Sequence, residues 1–160
     1  AGGVPVTQRR NHSYAVSYYE PTGLDATVYP PSIDLKFTND TQSHLLMQAF
    51  ARDSRAYYNF YGTKDDRKVH LIGPYYSNRI DPPAPRVEYT GKLAPGEKEV
   101  LGHAVPGLSS AWYRQVTYGA PEKETYFESI LSRYQARPDF TAVGAQPGGP
   151  TGDSLIETTY

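Results

Sequence analysis

The sequence has 160 residues, a formal net charge of −1 and 38% hydrophobic residues, enough apolar content for one domain or two small ones. A charge so close to zero gives no general attraction to nucleic acid or anionic membrane, and no apolar run is long enough for a membrane-spanning helix. The absence of cysteine excludes disulfides, thiolate metal sites and a cysteine nucleophile within the chain. The 4 histidines are scattered, without acids at metal-ligand spacing, so we expect neither a metal site nor a cofactor.

Short apolar and aromatic runs separated by turn residues dominate the first half, and no long segment repeats apolar residues at the helical period. The chain contains 15 Tyr, which favours strands, and 14 Pro and 14 Gly, which end them. We therefore predict an all-β fold. The segment "GTKDDRK" predicts a hairpin tip, because charged and small residues separate two hydrophobic runs. The predicted strands of this half are Ala15–Tyr19, Ala26–Tyr29, Ile33–Thr38, His44–Phe50, Ala56–Tyr61 and Val69–Ile72.

The segment "DPPAP", Asp81–Pro85, interrupts this pattern because its prolines cannot donate hydrogen bonds to a sheet. We predict a β-rich domain over residues 1–80, a proline-rich linker over residues 81–85 and a second β-rich module over residues 86–144. The stretch "SAWYRQVTYGAPEKETYFESIL" predicts a long hairpin with Gly119–Pro121 at its turn. The predicted strands of this half are Arg86–Tyr89, Lys98–Gly102, Ser109–Tyr118, Thr125–Ser132 and Asp139–Val143.

The last segment, residues 145–160, divides into a Gly/Pro-rich tether, Ala145–Asp153, and a short predicted strand, Ser154–Tyr160. A strand on a tether can pair with an open sheet edge of its own chain or of a neighbouring copy. Pairing with a neighbour would be head-to-tail, and a head-to-tail contact that does not close on itself builds a filament. The residues predicted to be buried in such an assembly are Leu155, Ile156 and Tyr160.

The stretches "RRNHSYAVSYY" and "GLDATVYPPSIDLKFTND", from Arg9 to about Asn39, resemble the VanW-like family of bacterial cell-surface proteins, with weaker similarity up to Pro85. In the family a preceding segment carries a Gly-rich Cys-Gln motif, so the resemblance implies a truncated domain that lacks this cysteine. It also implies that His12 and Asp25 match the second and third members of a Cys-His-Asp triad. The alternative, which we favour in a chain without the nucleophile, is a structural pair that joins neighbouring strands by hydrogen bonds.

The stretches "EYTGKLAPGEKEVLGHAVPG" and "FTAVG", between Glu88 and Gly144, are similar to a short G-five type of surface module. The resemblance implies thin sheets and a role in cell-wall polysaccharide binding, adhesion or surface fibres. Aromatic rings stack on apolar sugar faces while flanking polar groups bind the hydroxyls. The alternative is that such rings only cover a thin sheet. The candidates for a sugar-binding surface are Trp112, Tyr113, Tyr118, Tyr126 and Tyr134.

These features indicate a non-catalytic, exported, structural protein of the bacterial surface that binds copies of itself or cell-wall polysaccharide. The absence of cysteine fits export, and a start at Ala1 without a signal peptide fits either processing or a fragment. Two alternatives remain open. One is a fragment of a cysteine-dependent enzyme acting on cell-wall peptides, and the other is a peptidoglycan-binding carbohydrate module.

Overall fold

The computed structural model describes residues 2–119, 124–146 and 148–149, together with the backbone of residues 156–157. The prediction of an all-β fold is confirmed, since every regular element in these ranges is a strand. None of the described residues belongs to a helix of the length and apolarity needed to cross a membrane. The strands are β1 (Val6–Gln8), β2 (Lys36–Phe37), β3 (Leu46–Arg52), β4 (Arg55–Tyr61), β5 (Lys68–Ile80), β6 (Arg86–Thr90), β7 (Lys98–Gly102), β8 (Gly107–Thr117), β9 (Tyr126–Tyr134), β10 (Phe140–Gly144) and β11 (Ile156–Glu157).

Most predicted strands are present with small shifts at their ends, and β7 has the predicted bounds. The predicted strand Val69–Ile72 is only the beginning of β5, which continues through Pro74 to Ile80. Proline lacks an N–H and therefore usually marks the edge of a sheet or the end of a strand. The structure places β5 at the edge of its sheet, where this proline is tolerated.

Two predicted strands near the N-terminus are wrong. Ala15–Tyr19 ends in a hydrogen-bonded turn instead of pairing with a neighbour. Ala26–Tyr29 is irregular except for Tyr29, which forms an isolated bridge to Ile33 around two intervening prolines. The predicted strand Ile33–Thr38 shortens to β2, which pairs with the unpredicted β1.

Strands β3 and β4 form a two-stranded antiparallel sheet that ends at the pair Arg52 and Arg55. The two residues between them, Asp53 and Ser54, have φ angles of 49° and 57°. Positive φ at both central residues is the backbone of a type I′ hairpin turn. The predicted hairpin tip at "GTKDDRK" is therefore wrong, because β4 pairs back onto β3 while β5 lies beside β8.

A four-stranded sheet has the order β11-β6-β10-β7. Strands β6 and β10 are parallel, with Arg86 opposite Phe140, and β7 is antiparallel to β10. Strand β11 pairs antiparallel with β6, with Ile156 opposite Val87, so this part of the predicted tail strand adds to a sheet of its own chain. The predicted assembly residues Leu155 and Tyr160 lie outside the described residues.

A three-stranded sheet has the order β5-β8-β9. Its central and last strands are neighbours, as the predicted long hairpin requires. Burial alternates along β8, where Trp112, Arg114 and Val116 are buried while Tyr113 is exposed. This alternation places one face of β8 in the interior.

The chain forms two compact units built from interleaved segments. The first unit contains residues 1–10, 26–73 and 111–130, and the second contains residues 11–25, 74–110 and 131–160. Strands β5, β8 and β9 contribute residues to both units. The predicted linker, Asp81–Pro85, follows β5 and forms no strand. The predicted domain boundaries, which rest on the prolines of this segment, stay a prediction.

Candidate functional site

Asp25 is the centre of a hydrogen-bond network in the second unit. Its Oδ2 accepts a hydrogen bond from the backbone N–H of His12 at 2.7 Å and lies 2.8 Å from Nδ1 of the same residue. Its Oδ1 accepts a hydrogen bond from the hydroxyl of Tyr134. The Asp25 side chain is only 3% exposed, so these donors compensate the carboxylate for the loss of water.

Both loops of this network are held against the C-terminal end of β9. Beside the histidine, the N–H of Gln135 donates to the carbonyl of Ser13 at 2.7 Å. Before the aspartate, the carbonyl of Gly23 accepts a hydrogen bond from Oγ of Ser132 at 3.0 Å. Tyr134 lies on this same strand end and is 2% exposed, so one strand end positions the whole network.

Tyr19 covers the imidazole of His12. The two rings are stacked, with centroids 4.3 Å apart and an interplanar angle of 16°. Burial, and then the neighbouring Tyr18 and Asp25, raise the pKa of Tyr19 above its ordinary value. Tyr19 is therefore neutral near pH 7, and its stacking restricts the rotation of the imidazole.

The His12–Asp25 pair has the orientation of a general base, with Nδ1 directed at a carboxylate and Nε2 on the opposite side of the ring. A thiol beside Nε2 would complete a triad, but the sequence contains no cysteine. The pair by itself supplies orientation and a proton acceptor, not a covalent nucleophile. Among the residues described, no group of three His, Cys, Asp or Glu side chains is arranged to hold a metal ion.

The five aromatic residues predicted to bind sugar cannot all lie on one exposed surface. Trp112 and Tyr134 belong to the interior, with 8% and 2% exposure. Tyr113 and Tyr126 are exposed. The physical reason is strand alternation, because adjacent residues such as Trp112 and Tyr113 point to opposite faces of β8. Sugar binding by the exposed members stays a prediction.

The remaining aromatic candidate, Tyr118, contacts an ion-pair cluster of the first unit. Its hydroxyl lies 3.5 Å from Oδ2 of Asp40, and the guanidinium of Arg67 lies 5.5 Å from its ring centroid. Arg67 is paired with Asp40 and Asp65 at 2.9 and 2.8 Å. Burial and then the Asp40 carboxylate raise the pKa of Tyr118, and although burial lowers the pKa of Arg67, the two aspartates raise it overall. These contacts tie Tyr118 to the cluster, and sugar binding by Tyr118 stays a prediction.

A cluster of exposed aromatic side chains that the sequence analysis did not single out lies on the β3–β4 hairpin. Residues directly opposite each other on antiparallel strands point to the same face. The face that contains Phe60, called the Phe60 face, approaches Phe37 of β2 with 6.2 Å between ring centroids. The opposite face, called the Phe50 face, carries Leu46, Gln48, Phe50, Arg52, Arg55, Tyr57, Asn59 and Tyr61.

The Phe50 face presents aromatic, amide and guanidinium groups in successive rows. The rings of Phe50 and Tyr57 are stacked, with centroids 5.0 Å apart and an interplanar angle of 8°, and the residues are 43% and 37% exposed. The next row away from the turn contains Gln48, whose Oε1 lies 3.5 Å from the hydroxyl of Tyr61. The sequence signal was the run "AYYNFY", in which aromatic residues occupy both faces of one strand.

Comparisons with known proteins match only parts of the chain. The sequence model of the family described as VanW like protein matches residues 1–61, which end at the last residue of β4. No curated protein is significantly similar to the chain. Among solved structures, the crystal structure of HP0197-G5 matches with 12% sequence identity and a TM-score of 0.21, covering 50% of this chain and 97% of that chain. This TM-score is too low to show a shared fold, so the G-five-like module stays a prediction.

Proposed function

We propose that the chain is a non-catalytic part of an exported bacterial cell-surface protein and that it attaches to cell-wall polysaccharide. The Phe50 face carries this proposal, because exposed rings and amide groups lie side by side on it. Aromatic rings pack on the apolar faces of sugars, and amides bind the hydroxyl groups around them. The match of residues 1–61 to a family of surface proteins supports the location, and these residues include the whole hairpin.

The absence of catalysis is part of the proposal. Asp25 uses both carboxylate oxygens to hold His12 and Tyr134, and Tyr19 stacks on the imidazole. We interpret this network as a brace that holds two loops to β9. A cysteine-dependent enzyme acting on cell-wall peptides is the alternative. The orientation of Nδ1 towards Asp25 favours that alternative, which also requires a thiol beside Nε2.

The test is cosedimentation of the pure protein with purified cell walls. The wild-type protein is expected to pellet with the walls and to leave their peptides intact. The double variant Phe50→Ala, Tyr57→Ala should bind roughly thirtyfold more weakly, since each of the two stacking contacts contributes on the order of 1 kcal/mol. The control Phe127→Ala removes another exposed ring of the first unit and should bind like the wild type.

Two outcomes contradict the proposal. Wild-type protein that stays in the supernatant excludes attachment to the wall. Release of wall peptides by the pure protein, abolished by His12→Ala, excludes the non-catalytic role and favours the enzyme.

We also propose that copies of the chain associate by exchange of the tail strand. Strand β11 pairs with β6 in one chain, and the same pairing made with a neighbour would be head-to-tail. Deleting Gly152–Tyr160 should then abolish concentration-dependent polymers in light scattering and negative-stain microscopy. A full-length protein that stays monomeric at high concentration, or a deletion that assembles normally, contradicts this association.

A further inference from the structure

We infer that the turn end of the Phe50 face binds acidic sugars, meaning sugar units of a polysaccharide that carry a carboxylate. The site consists of the stacked rings of Phe50 and Tyr57 and the guanidinium of Arg55. This inference rests on the proposed attachment to polysaccharide, and it adds the chemical class of sugar that the hairpin binds.

The first argument is charge. Arg52 and Arg55 lie directly opposite each other in the antiparallel register, an arrangement that is unfavourable for like charges without a counterion. Arg52 has a partial counterion, because its Nε lies 3.3 Å from Oδ2 of Asp53. Within the described part of the chain, Arg55 forms no such ion pair. The turn end therefore has one uncompensated positive charge, which matches one singly charged acid group.

The second argument is the order of groups along β4. Arg55 and Tyr57 are two residues apart on one strand, so they share a face at a separation of about 7 Å. A sugar ring packed against the aromatic pair can direct an attached carboxylate towards Arg55. The planar guanidinium donates two parallel hydrogen bonds to a carboxylate, which fixes the direction of the acid group as well as its charge.

The third argument is the backbone of the turn. Both central positions of a type I′ turn need a positive φ, which Gly and Asn adopt most readily. Here the second central position is Ser54, with a φ of 57°. A two-residue turn leaves little freedom to separate the residues that flank it, so Arg52 and Arg55 stay side by side despite their repulsion. A longer loop would let the two side chains move apart, whereas the short turn keeps the uncompensated Arg55 beside Arg52 and close to the aromatic pair.

A second copy of the chain fits this end of the hairpin less well than an acidic sugar. In a two-fold symmetric contact centred on the site, the same surface meets itself, so Arg55 would face the Arg55 of the other copy. A neutral polysaccharide could pack on the rings but would leave Arg55 without a partner. Charge complementarity thus favours a carboxylated glycan.

The experiment measures binding of the full chain to soluble polygalacturonate, neutral dextran and inorganic polyphosphate by titration calorimetry. The wild type should bind polygalacturonate at least tenfold more tightly than either of the other polymers. Arg55→Gln should lose this preference and bind polygalacturonate no more tightly than dextran. Arg79→Gln, a matched loss of an exposed arginine on β5, should keep the wild-type preference. Raising the salt concentration should weaken the wild type more than Arg55→Gln, because exposed charges are screened.

Arg55→Lys keeps the charge without the planar fork and should show an intermediate preference, which also tests the site if Arg55→Gln folds poorly. Equal losses in Arg55→Gln and Arg79→Gln, an unchanged preference in Arg55→Gln, or a preference for polyphosphate would each overturn the inference. Dimers that Tyr57→Ala dissociates in sedimentation would assign the face to a second copy and also overturn it. If one of these results is found but the wild-type protein still binds cell walls, only the inference about acidic sugars is refuted. If the wild-type protein does not bind cell walls, the proposed function itself is refuted.

Discussion

Replacing Asp25 by alanine is expected to lower the free energy of unfolding by about 3 kcal/mol, because it removes a buried carboxylate that several hydrogen bonds share. The buried hydroxyl of Tyr134 loses the hydrogen bond to Asp25, as do the backbone N–H and the ring of His12. Urea denaturation followed by circular dichroism measures this loss. Tyr134→Phe removes only one donor and should cost about 1 kcal/mol.

The matched control for this prediction is Asp81→Ala, which removes an exposed carboxylate outside the strands of the same unit. Its effect should stay within about 0.5 kcal/mol. A similar stability for Asp25→Ala and Asp81→Ala would contradict the interpretation of Asp25 as a brace. Stability unchanged by Asp25→Ala combined with loss of an enzymatic activity would assign the network to catalysis.

A comparable loss, about 3 kcal/mol, is expected when Gly144 is replaced by alanine, because the added carbon has no space. A Cβ at this position would overlap the carbonyl of Ala94 and lie 3.0 Å from the carbonyl oxygen of Leu93. These atoms are backbone and cannot rotate away. Relieving the overlap would displace β10 from the loop, which is fixed by the bond from the N–H of Gly144 to the carbonyl of Glu97 at 2.8 Å.

Gly91→Ala provides the opposite expectation in the same loop. A Cβ at Gly91 meets no heavy atom within 4 Å, so alanine should not lower the stability. It should leave the free energy of unfolding unchanged or raise it by about 0.4–1 kcal/mol, because alanine reduces the conformational entropy of the unfolded chain. Thermal and urea unfolding of the two variants, measured in parallel, tests the pair. Equal midpoints for Gly144→Ala and Gly91→Ala would show that the loop does not pack against β10 as described.

The strands that the sequence predicts well are those whose own residues carry the pattern. In β8, Trp112 and Val116 alternate with Tyr113 and Gln115, and this alternation is independent of the rest of the fold. The three residues of β1 contain no comparable pattern, and the strand forms only because β2 lies beside it. "GTKDDRK" has turn composition, yet composition does not specify which strands on either side of a loop become neighbours.

The residues of the candidate site also differ in whether the sequence alone could predict them. The resemblance brought His12 and Asp25 to attention, and the structure places them in direct contact. Tyr134 could not be predicted as the third member, because it is separated from Asp25 by 109 positions and only the fold brings them together. The aromatic run in β4 predicts a strand, but the run alone does not indicate which of its two faces the rest of the fold leaves exposed, so the sequence does not predict the Phe50 face.

The interleaving of the two units has a consequence for the time at which the protein can fold during synthesis. The first unit includes described residues of β8 and β9, and the second includes the end of β9 and β10, so neither is complete before β9 has been synthesised. The parallel pair β6 and β10 must also close a long loop, since Arg86 pairs with Phe140. We therefore expect slow, late folding, in which the segments of both units stay exposed to proteases until the last strands arrive.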